Sequence, residues 1–310
     1  MSAAACAAAI ALALLGIYAF PLPRPSFRAL YAAAPERVSL RLAAFRRRSL
    51  KRRILAGAAW EVAETGGGGE AVVFLHGLGA SADAWFLQME DLGGRFRCLA
   101  PTYPPLGSWE ALAAGILELL DREGVARAHF VGSSMGGVLA QFLARCAPER
   151  VQSLVLGNTF PPDTPMATLA RRGRRLLPWA PEWAILAGMR RNARRLLAPA
   201  AGAGAPLVEA YLVEQTCGAI RKAHVLARLS CLSRVFAPPD LAAPAVPCLV
   251  AESANDPLVD APLREALRRA YPAAAVHVFP QGGHFPFLSE PDGYRRLLGE
   301  WLERSPPRTP

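Results

Sequence analysis

The chain has 310 residues, 52% of them apolar and 19% charged, and a formal net charge of +10. That composition excludes a disordered chain, and the length suits one α/β domain carrying an insertion. Six scattered cysteines (Cys6, Cys98, Cys146, Cys217, Cys231 and Cys248) include no C-x-x-C pair, so neither a zinc site nor a disulfide framework is expected.

Residues 3–22 carry no charge and are rich in alanine. As a helix, the run would be about as long as a hydrocarbon core is thick, which predicts a membrane anchor. No basic residue precedes Arg24, unlike the start of a secretory signal. Arg24, Arg28, Arg37 and Arg41 all follow the run, so the positive-inside rule would leave the main body cytoplasmic. A cleaved signal with a secreted or periplasmic product, and a soluble cytoplasmic chain, are the alternatives. Residues 24–49 read as a basic linker after the hydrophobic segment 1–23. Arginines cluster at Arg46, Arg47 and Arg48, and again at Arg171, Arg172, Arg174 and Arg175. No zinc finger, basic zipper or aromatic RNA platform accompanies them, so a solvated face is expected and a nucleic-acid partner is not.

Residues 52–65 read as two short strands around Gly57, and the glycine run 66–69 as a loop. Buried-strand patterns follow at 71–75, 97–100, 128–131, 153–156, 246–251 and 275–279. Helical patterns at 108–123, 135–146 and 261–270 separate most of them. Such alternation predicts a mostly parallel sheet flanked by helices. Residues 159–243 contain no convincing strand but carry helical patterns at 168–177, 181–197, 206–217 and 219–232. A bare loop of that length does not fit a compact domain, so a helical cap insertion is expected, with the core formed by 50–158 and 244–303.

The string "GSSMG" (residues 132–136) satisfies G-x-S-x-G only with Ser134 at its centre. Between a strand and a helix, that pattern holds a serine hydroxyl at the edge of the sheet beside a helix N-terminus. A serine needs a base to take its proton. His284, in the glycine-rich string "QGGHFPF" after the last strand, suits that role better than His129, His224 or His277. Asp256, just past the preceding strand, supplies the acid in the order Ser, Asp, His; Asp260, Glu252 and Asp163 are competitors. Two amides would hold the oxyanion, Met135 N–H after the nucleophile and Leu78 N–H in "HGLG". His76, in that same turn, is expected to shape the loop rather than act as a base.

Together, "HGLG", "GSSMGG", "ND" and "GGHFPFL" resemble the α/β-hydrolase superfamily over roughly residues 50–302. The strings "APTYP", "LGNTF" and "GGHFPFL" resemble, more narrowly, maspardin-like members. Maspardin itself is known mainly as a binding protein and lacks a histidine in the matching loop, whereas this chain has His284. The resemblance implies the α/β-hydrolase fold and a serine hydrolase that works through an acyl-enzyme, without cofactor or metal. A serine nucleophile leaves esters, thioesters, amides and some carbon–carbon bonds open. The apolar insertion, with Trp179 and Trp183, points to a small-molecule acyl ester and a carboxylesterase or lipase-like activity. A catalytically silent binding protein, or an amide or carbon–carbon hydrolase, is the alternative.

Overall fold

The computed structural model describes residues 3–242 and 245–305; the expected core boundary at 243/244 lies outside them. Eight strands form one sheet: β1 (Leu50–Leu55), β2 (Ala58–Thr65), β3 (Ala71–Leu75), β4 (Arg97–Thr102), β5 (Ala128–Ser133), β6 (Val151–Gly157), β7 (Cys248–Ser253) and β8 (Ala275–Phe279). Their spatial order is β1-β2-β4-β3-β5-β6-β7-β8. The β1–β2 and β2–β4 pairs are antiparallel, and every pair from β4 to β8 is parallel. This is the α/β-hydrolase fold expected from the alternation of runs. Ala56 and Gly57 both adopt positive φ (46° and 74°), as a two-residue hairpin turn requires. The central strands β3, β5, β6 and β7 are buried along their whole length, which explains their continuous apolar runs. β7 begins at Cys248 rather than at Val246, because Pro247 has no N–H to give a ladder.

Helices cover both faces. One face carries α2 (Glu36–Ser49), α3 (Phe86–Leu92) and α11 (Pro291–Arg304); the other carries α4 (Trp109–Arg122), α5 (Met135–Cys146) and α10 (Ala261–Ala270). Between β6 and β7 lie α6 (Met166–Leu176), α7 (Glu182–Asn192), α8 (Ala205–Glu214) and α9 (Lys222–Leu232). Ile185, Leu186, Ile220 and Val225 form a small core of their own among them. These four helices match the expected helical patterns to within a few residues.

Two N-terminal expectations change. Helix α1 spans Ala3–Ala19, 17 residues, and ends where Pro21 disfavours helix at Phe20. No helix among the described residues is long and apolar enough to cross a membrane. The transmembrane anchor is therefore corrected, and the positive-inside argument has no described span to orient. The C-terminal end of α1 instead meets α7 and the turn before it, with Trp183 Nε1 donating to Ile17 O at 2.6 Å and Tyr18 OH donating to Trp179 O at 2.5 Å. The second change concerns residues 24–49, read as a linker. They contain α2, whose Leu42 and Phe45 are fully buried and whose arginines are mostly paired. Arg46 turns inward to Asp83 at 2.6 Å and to Glu214 at 2.8 Å. Charge alone hid this packing, because Leu42 and Phe45 stand among basic residues in the sequence.

Candidate active site

The turn between β5 and α5 carries the two serines. Ser133 is the last residue of β5, paired with Gly157 and 2% exposed. Ser134 follows at φ 54°, ψ −123°, a conformation strained for a side-chain-bearing residue and held by its surroundings. Its N–H donates to Gly157 O at 2.9 Å, and its carbonyl accepts from Thr159 Oγ1 at 2.6 Å. The turn closes tightly only because Gly136 has no side chain; a Cβ there would stand 2.1 Å from Leu75 O. Met135 N–H lies in the first turn of α5, where backbone donors lack helical acceptors.

His284 follows β8 in a loop shaped by Gly283, whose φ is +59°. Its Nδ1–H donates to Asp256 Oδ2 at 2.8 Å and Oδ1 at 3.0 Å. Asp256 Oδ1 also accepts from the N–H groups of Leu258 and Val259, at 2.8 and 3.1 Å. Burial works to raise the Asp256 pKa, but the His284 ring, Asn158 and the Leu258 N–H outweigh it and hold the carboxyl below its usual range. The acid is thus an anion that orients His284.

Two asparagines, not singled out from the sequence, complete this support. Asn158, buried at φ 41°, donates through Nδ2 to Asp256 Oδ2 at 2.7 Å and to Gly283 O at 3.0 Å. Asn255 Oδ1 accepts from Gly283 N at 2.9 Å. Asn158 follows β6 directly and tolerates positive φ, a signal that a reading centred on ionisable groups passes over.

The competing acids are engaged elsewhere. Glu252 pairs with Arg268 and lies 3.6 Å from Arg264, Asp260 caps α10 through Leu263 N at 3.1 Å, and Asp163 is exposed. The other histidines are likewise apart from Ser134. His129 binds Ser153 Oγ at 2.7 Å, His224 Nδ1 accepts from Arg221 N at 3.2 Å, and the half-buried His277 packs on Phe279.

Ser134, Leu78 and His284 line one cavity of about 230 Å³, with Phe160, Met189 and Leu212 among its apolar walls. Helices α6 to α9 supply much of its roof. No hydrogen bond joins the Ser134 and His284 side chains among the described residues, a looseness common in unliganded sites. Across the cavity, Gly77 packs so closely on Ser134 that a Cβ would stand 3.2 Å from Ser134 Cβ. His76 is fully buried, stacked on Tyr103 at 3.9 Å, and accepts at Nε2 from Tyr103 N at 3.3 Å. Burial, with the Arg228 charge, keeps it neutral, so its proton sits on Nδ1 and is donated to Gly77 O at 2.8 Å. Gly77 C=O and Leu78 N–H belong to one planar trans peptide; holding the first fixes the direction of the second. His76 thus shapes the loop, as its turn suggested.

The model of the alpha/beta hydrolase family matches residues 72–297, spanning the elbow, Asp256 and His284. The chain belongs to the alpha/beta hydrolase family. Within the family, a pimeloyl-[acyl-carrier protein] methyl ester esterase of Nitrosomonas europaea is 29% identical over 74% of this chain and 95% of its own. A 2-hydroxy-6-oxononadienedioate/2-hydroxy-6-oxononatrienedioate hydrolase of Burkholderia vietnamiensis is 30% identical over 78% and 90%. The crystal structure of a bacterial membrane phospholipase A superposes with a TM-score of 0.66 over 97% of both chains, at 21% identity. That last likeness speaks for the fold alone, and its coverage reaches the N-terminal helices. The narrower likeness to maspardin-like members is not shown by these matches.

Proposed function

We propose that this alpha/beta hydrolase is a serine carboxylesterase, lipase-like in taking an apolar acyl group. The observation that carries the reading is Ser134, strained at a strand-to-helix turn, on the wall of the apolar cavity that His284 also lines. Ser134 Oγ attacks the ester carbonyl as its proton passes to His284 Nε2, and Asp256 stabilises the imidazolium. Amides of Met135 and Leu78 receive the oxyanion. Collapse expels the alcohol with the proton from His284, and water, deprotonated by His284, then releases the acid. No lysine or arginine is among the cavity's lining residues, which favours a neutral acyl ester over a dianionic substrate of the kind named for the Burkholderia relative.

A fluorophosphonate probe tests this, because it reacts only with an activated serine beside a formed oxyanion hole. Stoichiometric labelling of Ser134 is expected, kept in Ser133→Ala and abolished in Ser134→Ala. His284→Ala should lose ester turnover by several orders of magnitude. Absent labelling of the folded chain would overturn the enzyme reading and favour a silent binding protein. Labelling that moved to Ser133 would overturn the elbow assignment.

A further inference from the structure

Arg228, on α9, is a buried guanidinium. It is 2% exposed and pairs with no carboxylate among the described residues. Its Nη1 donates to Leu78 O and, at 3.2 Å, to Ala80 O, while its Nε has no partner among the described residues. Its charge centre lies 6.0 Å from the Tyr103 ring, on which His76 stacks. Burial lowers its pKa to about 10, so it remains charged at neutral pH. A buried cation with no counter-charge is costly, and an apolar side chain would serve packing alone better. Arg228 is not among the cavity's lining residues, so substrate contact does not account for it either.

What it does touch is the backbone of the oxyanion loop. The carbonyls of Gly77, Leu78 and Ala80 are held by His76, Arg228 and Arg228 in turn. Gly77 and Gly79 would otherwise leave these peptides free to turn over. The loop's far end is tied to the insertion as well, with Ser81 Oγ donating to Gln215 Oε1 at 2.8 Å. We propose that Arg228 is a positioning residue that works with His76: His76 holds the Gly77–Leu78 peptide that carries the Leu78 N–H, and Arg228 locks the adjoining Leu78–Gly79 peptide and Ala80 O so that the first cannot turn over, and a competent oxyanion hole exists only while α9 is seated on the core. This rests on the serine-hydrolase reading above.

The test compares the wild-type chain with Arg228→Met and Arg228→Lys, each checked for folding by thermal melting. Four quantities are measured: turnover of p-nitrophenyl butyrate, the rate of fluorophosphonate labelling, the affinity for n-butylboronic acid, and inhibition by hexanol. Arg228→Met should lose about 100-fold in kcat, the scale of one missing oxyanion donor, and comparably in labelling rate and boronate affinity. KM, hexanol inhibition and the pH profile should stay within about twofold of wild type, because neither the acyl site nor Asp256 and His284 has changed. Arg228→Lys, which keeps a buried donor, should recover part of the loss. A folded Arg228→Met with kcat within threefold of wild type overturns the inference, as does a loss confined to KM. If Arg228→Met does not fold, a folded Arg228→Lys decides the matter: boronate affinity equal to wild type overturns the inference, and reduced affinity with unchanged hexanol inhibition supports it. Wild type that is neither labelled nor active would instead defeat the underlying hydrolase reading.

Discussion

His76 and His129 hold their places as neutral rings inside the protein. Burial depresses both pKa values, reinforced at His76 by the Arg228 charge and partly offset at His129 by Glu70. The sign of the pH dependence follows. As pH falls through the usual histidine value near 6.5, the unfolded chain takes up protons that the folded chain refuses. Their contribution is therefore unimpaired above that value and stability is lost below it, by at most about 1.4 kcal/mol per pH unit for each ring. Urea unfolding at pH 7.5, 6.5 and 5.5 should show stability decreasing towards acid, with a shallower slope in His129→Asn. A stability that stays level or rises over this range would contradict the neutral burial of both rings.

Among the elements, α2 ties together parts of the protein that are far apart in the chain. Its Arg46 joins Asp83, beside the loop of residues 76–81, to Glu214 at the end of α8, and Tyr31 OH donates to Glu214 Oε2 at 2.6 Å. One basic side chain thus links the N-terminal segment, the core and the insertion. Arg46→Met would leave two carboxylates without their cation, and a loss of about 3 kcal/mol is expected, the scale for breaking a buried pair. Arg48, whose side chain is 66% exposed, pairs with Glu90, which keeps Arg41 as a second cation, and Arg48→Met should change stability by less than about 1 kcal/mol. Denaturant titration of the two variants compares them directly; equal effects would show that the Arg46 cluster is a surface feature.

At the scale of the whole molecule, α1 stands apart. Leu12 and Leu15 are 70% and 68% exposed, and among the described residues Ile17 and Tyr18 bond to Trp183 and Trp179. Removing residues 2–19 takes away the contacts of Ile17 and Tyr18 with Trp183 and Trp179 and leaves the cavity's lining residues untouched. The truncated chain should melt within about 2 °C of the full chain, a shift that corresponds to about 1 kcal/mol for a chain of this size, and should label with the fluorophosphonate probe at the wild-type rate. A large fall in melting temperature would mean that α1 is part of the folding unit.

The periodicity of apolar runs was enough to read the alternating fold, because a strand buried on both faces must be continuously apolar and a covering helix must repeat every three to four residues. Spacing alone singled out Ser134, His284 and Asp256, since each sits at a turn directly after a strand and so at one edge of the sheet. Other features had no such local mark. Asn158 meets Asp256 across 98 positions of chain, and Arg228 meets Leu78 across 150, contacts that no window of sequence contains. Arg46 looked like surface charge until α2 was packed, because which face of a helix is buried depends on what covers it. The apolar stretch 3–22 looked long enough to span a bilayer, but Pro21 stops the helix at Ala19. Local pattern determines which elements form and where turns expose a reactive group; only tertiary packing decides which distant donors hold that group in place.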